Sequence, residues 1–323
     1  MARVLEGQVP GWKLFGARGS AGGIGDKSFG LPRFERATFK ARFPFGTVSL
    51  ADPEVPLTVD VTGWSPFTPG DADSSSLPVA ALKYHFTNPT AGIGDAVFSF
   101  NAKNFMPVDK KALRAVRATL GGFVLWGGGA PEAAWEEGAF AAMVSDPEVK
   151  VDHAWFRGGW FDPLTMAWNT IATGACLERP PVEGGDPSPG ATLFVPFQLA
   201  ARTSRTISLR LCWHVGRTNL RSGTKENPVS SKVGTDNVQD TYQPWYAGRF
   251  PDVEAIAKYW SQHYDDLRSR SKQFADTFHA TTLPSEVVEA VAANLTILKS
   301  PTIFPQTDGR LWAWEGCNDD SGC

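Results

Sequence analysis

Near residue 251 the hydrophobic pattern of this chain changes period, and that change limits the architectures open to it. From Thr38 to about Val215 apolar residues come in short runs, alternating with polar ones or ending on Gly, Pro, Asn or Asp. This is the pattern of strands joined by tight turns, with no convincing helix of three turns. The segments 38–43, 79–86, 96–100 and 123–126 are strand-like, and 192–199 and 205–213 are separated by a five-residue break that predicts a hairpin-type connection. After Pro251 the apolar residues Val253, Ile256, Trp260, Tyr264, Leu267, Phe274 and Phe278, with Ser271 between, recur every three or four positions. That spacing predicts one long amphipathic helix, with Asp252 at its N-cap. A second helix follows Ser285, with Val288, Val291, Leu295 and Leu298 on one face and Ser300-Pro301 as its stop. Strands first and helices second indicate separate domains with a boundary near residue 250.

Length and charge narrow the function classes. A chain of 323 residues that is 42% hydrophobic can bury at least one large core. A formal net charge of −3 lacks the basic excess that tracks a phosphate backbone, so nucleic acid is not expected as a partner. The longest apolar stretches, 121–126 and 193–199, fall far short of the roughly 20 residues of a membrane-spanning helix, so no transmembrane segment is expected. Residues 1–6 lack the blocks of a secretory signal, which makes a cytoplasmic setting the expectation. Cysteines at 176, 212, 317 and 323 are too few and scattered for a disulfide framework, and Cys212, inside an apolar alternating segment, is expected in the core. Residues 177–189 and 220–240 look like surface loops.

Most motifs dissolve on inspection. Gly22-Gly23-Ile24-Gly25 has Ser28 where a dinucleotide fingerprint needs its third glycine, and Gly127-Gly128-Gly129 lacks the Gly-Lys-Ser/Thr of a phosphate loop, so both are expected to be turns. Asn294-Leu295-Thr296 matches a glycosylation acceptor by pattern only. The histidines at 85, 153, 214, 263 and 279 show no metal-ligand spacing with one another or with cysteine. No metal and no cofactor are expected, and His85 and His214, inside strand-like segments, are expected to be hydrogen-bonded structural residues.

The densest chemical cluster is 312–323, with Trp312, Trp314, Glu315, Asp319 and Asp320 as substrate-pocket candidates. Sugar chemistry needs such parts: rings for the apolar faces of a pyranose, and paired carboxyls for acid, base or nucleophile work. A turn-rich loop whose Asp side chains cap backbone N–H groups explains the same residues equally well. Cys317 and Cys323 alone make no metal site.

Three segments carry a family resemblance: Trp64-Ser65-Pro66-Phe67-Thr68-Pro69-Gly70-Asp71-Ala72-Asp73 with the residues up to Ala80, then 292–301 with Leu298-Lys299-Ser300-Pro301, then Trp312-Ala313-Trp314-Glu315-Gly316-Cys317. Together they resemble glycoside hydrolase family 116, the β-glucosidases that include the non-lysosomal glucosylceramidase, or bile-acid β-glucosidase, of animals. The resemblance runs from about Arg3 to the last residue. It implies a mainly β fold: a large two-sheet antiparallel β-sandwich over residues 1–250, a linker helix over 251–282, and over 283–323 the first helix of an (α/α)6 catalytic barrel that the chain does not complete. It also implies retaining hydrolysis of β-glucosides by a Glu nucleophile and an Asp acid/base, both in the barrel and beyond residue 323. Neither role is therefore given to Glu315, Asp319 or Asp320. Relatives usually carry extra sequence before the Arg3-Val4-Leu5 segment, so first strands of the sandwich are expected to be missing, and missing barrel helices are expected to leave the Val253 to Phe278 helix face and the 288–298 face uncovered.

The functional expectation is the non-catalytic N-terminal part of a retaining β-glucosidase, inactive by itself, with its own C-terminal catalytic domain as partner and a β-glucoside as that domain's substrate. Two alternatives are a free-standing carbohydrate-binding module, suggested by Trp12, Trp64, Trp135, Trp155 and Trp160, and an interaction scaffold.

Overall fold

The computed structural model describes residues 1–11, 30–218, 243–299, 303–309 and 311–313. In chain order its elements are β1 (Val4–Gly7), β2 (Arg33–Phe34), β3 (Arg36–Arg42), β4 (Phe45–Ala51), β5 (Thr58–Trp64), the short helix α1 (Ala72–Ser75), β6 (Val79–Thr87), β7 (Gly94–Lys103), β8 (Arg114–Thr119), β9 (Gly122–Gly127), β10 (Gly138–Val144) and β11 (Lys150–Asp152). Then come α2 (Pro163–Ala172), β12 (Gly190–Leu199), β13 (Ser204–Val215), α3 (Trp245–Arg249), α4 (Val253–His279), α5 (Ser285–Leu295), β14 (Ile303–Pro305) and β15 (Leu311–Ala313).

The fold is mainly β. Its main wall is an eight-stranded antiparallel sheet in the order β3-β4-β5-β6-β13-β10-β9-β8, faced by a three-stranded sheet, β11-β12-β7. Residues of the main sheet point to opposite faces in turn, and here each face meets a different core. On β9, Phe123 and Leu125 enter the core between the sheets, while Val124 turns to the other side. On β10, Ala142 and Val144 face the second sheet, whereas Ala139, Ala141 and Met143 face helix α4. Strands covered on both sides read as nearly continuous apolar runs, as Phe123-Val124-Leu125-Trp126 does.

Helix α4 is the element that the second core packs against. Val253, Ile256, Trp260 and Leu267 are at most 1% exposed, and they lie on the stripe that the three-and-four spacing marks out. The Asp252 side chain caps its N-terminus by accepting from the Ala255 N–H at 2.8 Å. The expectation that this face lies uncovered is therefore corrected: the outer face of the sandwich's own main sheet buries it. Helix α5 differs, because Val287 and Val291 are 45% and 46% exposed, as is Leu298 of the turn after it at 51%.

The five-residue break at 200–204 is also corrected. It is not a hairpin, because β12 belongs to the small sheet and β13 to the large one, so the chain crosses between layers. The β6–β7 connection makes the same crossing. Asn88, 1% exposed, ties the two crossings together: its amide donates to the carbonyls of Gly92, Leu199 and Ala200, and its Oδ1 accepts from the Thr90 N–H. Sequence alternation reports burial on a face but not which sheet a strand joins, so this change of layer was illegible.

Helix α2 was not expected either. Its start signals are local: Asp162 caps it, accepting from the Leu164 N–H, and Pro163 occupies the first turn. None of its residues is fully buried, so its apolar stripe is weak. At one sheet edge β3 is exposed almost throughout and carries Arg36, Lys40 and Arg42, charges that discourage pairing with another strand. Beside β7, whose outer edge is unpaired, an apolar cleft of about 1110 Å³ opens between Met1–Glu6 of the chain start, β5, β6 and α2.

Candidate functional site

The segment 64–76 is where sequence, packing and polar bonding converge. Trp64, 4% exposed, ends β5 and places its ring 5.3 Å from both Trp260 and Tyr264 of α4, tilted against the first and edge-on to the second. The indole N–H of Trp260 donates to the Ala80 carbonyl at 3.3 Å. Phe67 lies between Phe43 of the sandwich and Phe274 of α4, at 4.9 Å and 5.0 Å. Its backbone N–H donates to the hydroxyl of Ser271, which itself donates to the Leu267 carbonyl. A serine on the buried stripe of α4 is thus a fastener for a loop that has no sheet partner of its own.

Asp71 then caps α1, accepting from the Ser74 N–H at 2.9 Å, and pairs with Arg270 of α4 at 2.7 Å. These bonds from Ser74 and then from Arg270 hold its carboxyl down at about 2, because they favour the charged form. Arg270 also donates to the Ser74 hydroxyl. Further along, Arg42 of β3 reaches Asp276 at 3.1 Å. At the opposite end the Cys212 thiol, fully buried and pushed up to about 12 by desolvation, lies against the Val253 carbonyl, and the His214 imidazole is 3.1 Å from the Phe250 carbonyl. Helix α4 is fixed to the sheet along its length.

Among the described residues beyond α4, hydrogen bonds tie the chain to the rest of the molecule near Lys299 and at the β14–β15 hairpin. Lys299, at the end of the 3₁₀ turn Thr296–Lys299, donates to the Ser75 carbonyl. The hairpin β14–β15 pairs Phe304 with Trp312 and is held to the segment before α3: the Thr307 N–H donates to the Gln243 carbonyl at 3.0 Å, and Gln306 bridges to Pro244.

The sequence-derived candidates fare unevenly. Trp312 lies in β15. Trp314, Glu315, Asp319 and Asp320 lie outside the described residues, as do Cys317, Cys323, the Gly22–Gly25 turn, Trp12 and the predicted 220–240 loop. His85 is bonded to Thr206 at 2.9 Å and Cys212 is in the core, both as expected. Trp64 and Trp155 are core residues at 4% and 3% exposure, which removes them as sugar platforms, whereas Trp160 is 94% exposed. The residues that join α4 to the sandwich, among them Phe67, Asp71, Arg270 and Ser271, escaped notice. Single polar residues far apart in sequence carry no pairing signal. Among the described residues no group of three or more His, Cys, Asp or Glu gathers as a metal site, and no helix is long and apolar enough to cross a membrane.

A β-sandwich with a helix packed across the outer face of its main sheet, followed by a second helix, is the architecture these contacts define. The chain matches, over residues 1–267, the family model described as beta-glucosidase 2, glycosyl-hydrolase family 116 N-terminal. It belongs to that family, and its sandwich is a glycoside hydrolase N-terminal domain. No curated protein matches it. Among solved structures it is similar to a protein assigned as a kojibiose phosphorylase from the human microbiome, at 9% identity and a TM-score of 0.39, covering 78% of this chain and 26% of that one. It is also similar to a family GH92 alpha-mannosidase from Bacteroides thetaiotaomicron, at 11% identity and a TM-score of 0.32, covering 87% of this chain and 31% of that one. The chain thus spans about a quarter to a third of the length of these structures.

Proposed function

We propose that this domain is the non-catalytic platform of a retaining β-glucosidase of the glucosylceramidase type. In this reading residues 1–250 form the sandwich, 251–282 the linker helix and 283–323 the beginning of an (α/α)6 catalytic barrel. The Glu nucleophile and Asp acid/base lie in that barrel, and the work takes place in a cytoplasmic setting.

The observation that carries the reading is the attachment of α4. A helix that buries Val253, Ile256, Trp260 and Leu267 and is pinned through Ser271, Arg270 and Asp276 supports a fixed starting point for the chain beyond it. Chemistry on a glycosidic bond needs such placement, since carboxyl groups must be held within about 0.5 Å of productive geometry. The half-open face of α5 supports packing against further helices. Four described carboxylates of the sandwich are held in ion pairs: Asp52 with Arg3, Asp71 with Arg270, Asp146 with Arg205 and Asp152 with Arg179.

The reading is tested by expressing the gene extended through the helical domain and offering it aryl β-glucoside, aryl α-glucoside and aryl β-galactoside. Selective hydrolysis of the β-glucoside, with retention at the anomeric carbon by proton NMR, is expected. Preference for another glycoside, or inversion, refutes it.

A further inference from the structure

Two of the segments that carry the family resemblance, 64–80 and 292–301, are more than two hundred residues apart in sequence, and a hydrogen bond joins them in space. Lys299 donates through Nζ to the main-chain carbonyl of Ser75. Ser75 is the last residue of α1, and a carbonyl at a helical C-terminus has no donor within its own helix. The acceptor is itself held in place. The Ser75 hydroxyl accepts from the Thr68 N–H at 2.9 Å and donates to the Thr68 carbonyl at 3.2 Å, and Asp71 locks the other end of α1 to Arg270. The donor's own element is held far less. Leu283, Val287, Val291, Ile297 and Leu298 are all 45% exposed or more. The Ser75 carbonyl is thus a fixed point on the sandwich, and Lys299 is the side chain by which a loosely covered helix reaches it.

We propose that Lys299 is the positioning residue of this joint: seated on the Ser75 carbonyl, its amine fixes the end of the turn that follows α5 against the sandwich. The inference rests on reading the sandwich as a platform for the chain beyond α4, but not on which glycoside that part cleaves.

Seating the amine removes it from water, and this desolvation pulls its pKa from 10.5 down to about 8. The charged residues are Asp71 and Asp73 on the α1 turn, Asp265, Asp266, Arg268, Arg270, Lys272 and Asp276 on the second half of α4, and Glu286 and Glu289 on α5, with Asp71 engaged by Arg270 and Asp276 by Arg42 and Lys272. A base whose pKa is lowered on seating disfavours the seated state while it is charged. That cost is full below about pH 8 and is relieved as the pH rises towards 10.5, where the free amine also loses its proton. The neutral amine still donates to the carbonyl. The joint therefore tightens with rising pH.

Limited proteolysis of the full 323-residue chain by subtilisin tests this. Cleavage within 283–313 is followed by mass spectrometry between about pH 7.5 and 9.5 and divided by the rate for a free peptide of the same sequence, so that it tracks the undocked population. In the wild type this normalised rate is expected to fall above about pH 8, by up to about tenfold per pH unit. In Lys299→Arg, whose guanidinium stays charged, and in Lys299→Met, which has no proton to lose, it is expected to stay flat. A flat wild-type profile overturns the proposal, as does a fall of equal size in either variant. Each variant deletes the titration independently, so one that folds suffices. Failure here leaves hydrolysis by the extended protein untouched, and failure of that hydrolysis leaves this profile untouched.

Discussion

Replacing Trp260 by alanine tests whether α4 belongs to the same cooperative unit as the sheet. Trp260 is fully buried, its ring lies 5.3 Å from Trp64 and 5.0 Å from Tyr264, and its indole N–H satisfies the Ala80 carbonyl. Removing a buried tryptophan costs about 3–5 kcal/mol through lost transfer energy and the cavity left behind. Loss of the indole's hydrogen bond to the Ala80 carbonyl adds about 1 kcal/mol. The expected loss of about 4–6 kcal/mol is a large share of the roughly 5–15 kcal/mol that keeps a domain folded. Urea denaturation, followed by far-UV circular dichroism and by tryptophan fluorescence, measures it. The two signals are expected to move together to lower urea, with a much smaller shift for Trp260→Phe. A loss below about 1 kcal/mol, or helical signal melting well ahead of the sheet, refutes the reasoning, since a separately folded linker helix gives that result.

The polar ties lead to two further predictions. Asn88→Ala strips several hydrogen bonds from the crossings between the sheets and is expected to cost about 2–3 kcal/mol in the same urea assay, because the buried amide's bonds to Gly92, Leu199 and Ala200 are lost together; a loss within error of zero contradicts that role. Asp71, held at about 2 in the fold against 3.8 when free, stabilises the protein above about pH 3.8 and loses that contribution as the pH falls towards 2. The stability gap between wild type and Asp71→Asn is therefore expected to close over that interval, and a gap constant with pH would remove the carboxylate from the account.

What was legible in the sequence was periodic. Helix α4 declared itself because one stripe of a 27-residue helix is buried against a single surface, so its period appears undiluted. The strands declared themselves through turn residues and alternation. Layer membership did not, because Gly190–Leu199 and Ser204–Val215 read alike although they lie in opposite sheets. Helix α2 was hidden by its partial burial, and its Asp162-Pro163 start was the one available signal. The fastening of α4 to the 64–76 segment was not visible in the sequence, although 64–76 itself carried part of the family likeness. Its residues make contacts across some 200 positions, as Phe67 does with Ser271, and no local pattern encodes such a bond.

The most direct test of the account compares aryl β-glucoside hydrolysis by the 323-residue chain with hydrolysis by the same gene extended through its helical domain. The account predicts no turnover by the former, even with its sandwich fully folded, and ready turnover by the latter. Glucoside hydrolysis by the 323-residue chain alone would place catalytic carboxylates within it and contradict the claim that this domain is a platform.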